Sequence, residues 1–155
     1  MTNHKQKVES FDLRIISFFR SSFIPVARFS LFLIFFWFGL IKLVGLSPAG
    51  PLAHALVDQT IGAQYFQVLF VILAMIEVVI GILFLIPKAT RIVIPLLLVH
   101  MAIVCSPLLM VPAYTWQSLL VPTLEGQYII KNAVVIAVAI GIAASTEPLL
   151  QKTNR

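Results

Sequence analysis

Residues 66–86 read FQVLFVILAMIEVVIGILFLI. A run of about 20 residues is long enough to cross a hydrocarbon core ~30 Å thick. This one is apolar throughout except for Gln67 at its edge and Glu77 near its centre. A carboxyl group at that depth costs about 3 kcal/mol on insertion scales, so Glu77 is expected to face protein or trapped water rather than lipid. Ala74 and Gly81 lie at the spacing that puts them on Glu77's side of a helix, and small residues are where membrane helices approach closely.

Composition supports the same reading. The chain has 155 residues, 60% hydrophobic and 11% charged, with a mean hydropathy of +1.02; soluble domains carry ~25% charge. The length suits one membrane domain. A pI of about 9.7 would suggest nucleic acid in a soluble protein, but no basic stretch is interleaved with solvent-facing aromatics, so no nucleic-acid partner is expected. The positive charge instead reads as an orientation signal for the lipid bilayer. Cys105 is the single cysteine, which excludes an internal disulfide, a CxxC pair and an iron–sulfur ligand set.

Working outward, residues 1–24 read as a polar tail followed by an amphipathic helix. Val8, Phe11, Ile15, Phe18 and Phe19 recur at helical spacing, with Glu9, Asp12, Arg14, Ser17 and Arg20 between them. That pattern predicts a helix lying in the headgroup plane; a frayed cytosolic extension is the alternative. Pro25 suits the first turn of a new helix, and a first span is expected over residues 26–46. Ser47-Pro48-Ala49 resembles a cleavage site, but the leader is too long and Lys42 interrupts the apolar stretch, so a span is preferred to a secretory signal. Leu52, Ala53, Leu56, Val57 and Ile61 predict a short helix flat on the outer surface, with His54 and Asp58 on its wetter sides. The further spans are 66–86, 91–110 (bent, with Pro95 and Pro107 inside) and 128–146. Residues 25–149 thus form the membrane domain and 150–155 a short tail. Tyr114 and Trp116 in the loop before the last span are boundary residues.

The expected fold is therefore an all-α membrane protein: a four-transmembrane-helix bundle with an N-terminal interfacial helix and a short outer-surface helix. Lys5, Lys7, Arg14, Arg20 and Arg28 precede or open span one, Lys88 and Arg91 lie between spans two and three, and Lys152 and Arg155 close the chain. The other two loops hold only Asp58 and Glu125 as charges. The positive-inside rule then puts both termini in the cytoplasm.

At ~1.5 Å per residue each polar group has a depth. Lys42 and Lys131 come out ~6 Å below the outer surface, and Glu77 and His100 ~14–15 Å above the cytoplasmic side. Arg28 and Glu147 share the inner edge as a candidate ion pair. Lys42 either snorkels outward along its own stem or faces inward with Arg28, Phe35 and Gly39, which share its side of span one. Lys131 has the same two options, with Glu125 near enough to be its partner. Glu77 is either a neutral packing residue, or it pairs with Lys42, Lys131 or His100, or it takes up protons. His100 alone suits a satisfied interior histidine. Cys105, five residues on, points elsewhere, which argues against a Cys/His nucleophile. Asn132, beside Lys131, completes the candidate polar set. The three histidines are scattered, so no metal or haem is expected, and no phosphate loop or hydrolase motif occurs. Ala133, Ala137, Gly141 and Ser145 recur every four residues on span four, as a ridge for contact within the bundle or in a homo-oligomer.

The segments FWFGLIKL, AMIEVVIGILFL running into IPKATR, and PTLEGQYIIKNAVVIAVAI resemble the DoxX-like membrane proteins, nearest to the branch containing a reactive-chlorine-resistance inner-membrane protein. The likeness covers about residues 26–144. It rests on Gly39 and Lys42 (G-x-x-K), Glu77 and Gly81 (E-x-x-x-G), Gly126 and Lys131, and the basic Arg28. In that branch an arginine follows the glycine and an aspartate follows the lysine; here they are Gln127 and Asn132. The resemblance implies a four-helix bacterial inner-membrane protein tied to quinone oxidoreductase assemblies or oxidant defence.

Three function classes follow. One is a non-autonomous redox subunit, served by a membrane or cytosolic partner. Its quinone-like ring would sit among Phe35, Trp37 and Phe38, its carbonyl contacted by Lys42 or Lys131, with Glu77 or His100 handling protons. Another is a small carrier or channel for a proton-coupled or anionic solute, gated by Glu77 and Lys42. The third is a non-catalytic scaffold. A standalone enzyme is not expected.

Overall fold

A computed structural model describes residues 2–146 of the chain, and their side chains from Val8 onward. Four helical segments are long and apolar enough to cross a membrane: Val8–Leu43, Ala63–Phe84, Pro87–Met110 and Leu124–Ala144. The elements run α1 (Thr2–Leu43), α2 (Gly50–Thr60), α3 (Phe66–Phe84), α4 (Thr90–Cys105), α5 (Pro107–Met110), α6 (Pro112–Thr115), β1 (Trp116–Ser118), β2 (Val121–Pro122) and α7 (Leu124–Ala144).

The boundary expected at Pro25 is not there. Helix α1 runs through Pro25 without a break, so residues 2–24 are not a separate helix. A proline removes one backbone bond and crowds the preceding turn, about 3 kcal/mol in a helix interior. The penalty is confined to one turn, and Ala27, Leu31 and Phe35 beyond it are buried in the core. Residues 8–21 are exposed along their whole length, apolar and charged alike. The other end of α1 comes at Leu43 rather than residue 46. Gly45 takes φ +74°, Leu46 N–H donates to Ile41 O and Gly45 N–H to Lys42 O, the two bonds of a Schellman cap.

Pro51 lies in the first turn of α2, which buries Ala55 and leaves His54 and Asp58 exposed. The third crossing is divided. Pro95 stays inside α4, whereas Pro107 opens the separate helix α5 after Ser106, where its missing N–H does no harm. The final crossing starts four residues before the expected 128, because Thr123 caps α7 by accepting from Gly126 N–H.

The loop from α5 to α7 is more ordered than its sequence suggests. It contains a small antiparallel hairpin, β1 with β2. Trp116 Nε1 donates to Leu108 O at 2.9 Å, and Thr123 Oγ1 to Tyr114 O at 2.8 Å. Gly126 has no room for a side chain, since an added Cβ would collide with Thr115 O.

Ala27, Leu31 and Phe35 of α1, Ile80 and Phe84 of α3, Val93, Leu97 and Met101 of α4, and Ala139 and Ile142 of α7 form one apolar core. Each set repeats at three or four residues, one helix face apiece. The core fills the half of the bundle nearest the α3–α4 turn. Glu77 is one turn beyond Ile80, so the polar groups begin where the core ends.

Candidate functional site

Two glycines build the site. A Cβ on Gly39 would lie 2.9 Å from Ala74 O and 2.7 Å from Val78 Cγ2, and one on Gly81 would lie 2.7 Å from Phe36 N. The pairing of 39 with 74–78 and 36 with 81 makes α1 and α3 antiparallel, with backbones in close approach. In an α-helix the Cα–Cβ bond leans toward the N-terminus. Lys42 therefore leans back down α1 while Glu77 leans toward the start of α3, and the two converge.

Lys42 Nζ donates to Glu77 Oε2 at 2.6 Å, with side-chain exposures of only 10% and 7%. Of the two options for Lys42, the inward one is the observed one. The other carboxyl oxygen, Oε1, stands 3.4 Å from His100 Nε2. That contact is close in distance but not aligned as a hydrogen bond, and neither ring nitrogen of His100 has a hydrogen-bond partner. The imidazole is 2% exposed and meets Phe35 edge-on, with centroids 5.7 Å apart. One buried carboxyl group thus stands between an ammonium from α1 and an imidazole from α4.

Other candidates lie elsewhere. Lys131 is exposed on α7 with its Nζ 4.9 Å from the Tyr128 ring centre, so it takes no part in the cluster. Asn132 is half-buried on the neighbouring position of α7. Trp37 and Phe38 are 59% and 50% exposed; they face outward and do not wall an interior pocket, and Phe35 alone of the three points in. The small-residue ridge of α7 is not a packing face within the bundle: Ala133, Ala137 and Ser145 are exposed, and only Gly141 is approached, by Phe23. The α7 residues that pack inward are Gly126, Ile129, Ala139 and Ile142. Ala74 and Gly81, by contrast, are buried on the α1 seam.

Glu147 lies outside the described residues, and so does its suggested pairing with Arg28. Arg28 itself donates from Nη1 to Phe84 O at 3.2 Å and from Nη2 to Thr90 Oγ1 at 2.5 Å. Thr90 in turn donates to Pro87 O at 2.7 Å. A guanidinium from α1 thereby satisfies the last carbonyl of α3, at the negative end of that helix. Thr90 is 2% exposed and was not among the expected site residues. Its signal was present, a threonine opening a helix just after the prolyl turn IPKA.

Among the described residues, no group of three or more His, Cys, Asp or Glu side chains could hold a metal ion. Comparison of the chain with protein families, with curated proteins and with solved structures returned no match.

Proposed function

We propose that this chain is a DoxX-like protein of the bacterial inner membrane, with both termini cytoplasmic, acting as a non-autonomous subunit in quinone-linked redox or oxidative-stress processes. The observation that carries this reading is the buried Glu77 carboxyl held between Lys42 and His100. An ionisable group at mid-membrane is by default a candidate ion or proton site. The short G-x-x-K and E-x-x-x-G elements, which resemble that family, are the ones whose glycines bring Lys42 to Glu77.

A quinone would supply two-electron chemistry, the electrons coming from a partner protein. The unpartnered nitrogens of His100, beside the edge of Phe35, suit a carbonyl oxygen. This chain's part is to orient the ring against Phe35, to offer that oxygen a hydrogen bond from His100, and to set the protonation of His100 through Glu77. The test is thermal unfolding of the purified full-length protein with a saturating soluble quinone analogue. The melting temperature of the wild type is expected to rise by several degrees and that of His100→Gln to stay put. No rise in the wild type removes the quinone from the proposal.

A scaffold role has its own support. The Lys42–Glu77 pair sits on the same seam as Gly39 and Gly81, and a buried pair there can fix helix register without any chemistry. It predicts that Glu77→Gln lowers folded yield while leaving the redox activity of an intact complex unchanged per folded molecule.

A further inference from the structure

Glu77 faces two bases, and it does not hold them alike. Its bond to Lys42 is short at 2.6 Å, whereas His100 Nε2 stands 3.4 Å from the other oxygen without completing a hydrogen bond. A neutral imidazole always carries one N–H, so a buried donor is left unmatched, which a low-dielectric interior penalises. The arrangement is satisfied on the lysine side and unfinished on the histidine side.

Charge decides what finishes it. A lysine ammonium and a glutamate carboxylate sum to zero, and such a pair can remain in a dry site. A proton added to His100 would leave a net positive charge there, unless one cation withdraws. The two cations differ in their freedom to do so. His100 is mid-helix in α4, 2% exposed, with its ring against Phe35. Lys42 is in the last turn of α1, one residue before the helix ends. Its four-carbon stem can carry the ammonium out to the boundary while the methylenes stay buried.

We propose that Glu77 exchanges partners with protonation of His100: the carboxylate passes from the Lys42 ammonium to the imidazolium, and Lys42 swings toward the end of α1. No covalent bond changes. The proton comes from water and rests on His100, Lys42 keeps its own proton, and the buried site stays neutral. Helix α1 presents Lys42 and Phe35, α3 presents Glu77 itself, and α4 presents His100. Helix α2, which also packs on α3, keeps its titratable His54 and Asp58 exposed, His54 against the ring of Phe66. On α7, Lys131 is exposed over Tyr128 and Asn132 is uncharged. The effect is to turn a proton taken up inside the bundle into a cation displayed at its end, whether or not a quinone ever binds.

The test uses the full chain in lipid nanodiscs, labelled with 15N at lysine and histidine. The Lys42 ammonium signal is identified by its absence in K42M, and pH is lowered across the imidazole range, about 8 to 5. Lys42 is expected to be protected from solvent exchange at the upper end. That protection should fall about tenfold or more over the same interval in which the His100 nitrogens report protonation. In H100Q the Lys42 signal should stay protected throughout. Protonation of His100 with Lys42 still protected would overturn the proposal, as would loss of protection in H100Q along the wild-type curve, or a His100 that stays neutral to the end of the titration. If H100Q does not fold, the wild-type titration decides by itself, since the two events either coincide or do not. No quinone enters the measurement, so its outcome is separate from that of the redox reading.

Discussion

At the scale of single residues, the energetics centre on one carboxyl group. Glu77 and Lys42 are each at least nine-tenths shielded: removing Lys42 leaves the carboxylate with only His100 beside it, and removing Glu77 leaves an ammonium that must reach the end of α1 to find water. Breaking a buried pair from one side typically costs about 3–5 kcal/mol, while replacing both members with apolar groups can be nearly neutral. Glu77→Gln leaves a polar amide and should fall at the lower end of that range; Lys42→Met should fall at the upper end. The double variant K42M/E77Q is expected to be no less stable than the worse single variant. Reversible unfolding in mixed micelles, analysed as a double-mutant cycle, measures this. Strictly additive losses would mean that the two groups do not interact.

Between elements, the seam of α1 and α3 governs the site. Gly39 and Gly81 leave room for backbone against backbone, and that spacing lets Lys42 reach Glu77. Gly81→Ala places a methyl 2.7 Å from Phe36 N, a backbone atom that can yield only if a helix moves. Overpacking of this kind costs about 1–3 kcal/mol. Gly141→Ala meets only the ring of Phe23 at 3.3 Å, a side chain able to turn aside, and is expected to be close to neutral. Folded yield and melting temperature of the two variants should therefore diverge, although both are glycines in apolar helices. Equal behaviour would show that the α1–α3 approach is not tight.

Over the whole molecule, charge and hydropathy set the plan. The four crossings separate a polar layer, Glu77 with Lys42 and His100, from the Arg28–Thr90 cluster by the apolar core between them. A polar site that opened toward the α3–α4 turn would have to breach that core, so the shorter way out for the Lys42 ammonium is toward the end where α1 stops. The proposed orientation makes that the outer side. A fluorescent reporter active only in the cytoplasm should light up when fused after Arg155 and stay dark when inserted between Leu119 and Leu120. The reverse pattern would turn the molecule over and place that end on the cytoplasmic side.

The chain's local chemistry was enough to determine the number of crossings, their approximate limits and the burial of Glu77. Hydropathy, spacing and the cost of a charge in lipid act on each segment separately, and they are read without knowing what lies beside it. Where local signals compete, the packed neighbours decide between them. Pro25 suggested a helix start but was absorbed into α1, because the turns beyond it are buried in the core. The ridge of Ala133, Ala137 and Ser145 lies exposed, so of its two readings, contact within the bundle and contact in a homo-oligomer, the first does not hold. Glu77 had three basic partners at reachable depths, and depth alone could not choose between them. That choice depends on how each helix is rotated about its axis and where it slides against its neighbour. Those two quantities are set by contacts such as Gly39 on Ala74 and Gly81 on Phe36, between residues far apart in the chain. Only the packed bundle turns Lys42 and His100 toward the carboxyl and leaves Lys131 outside.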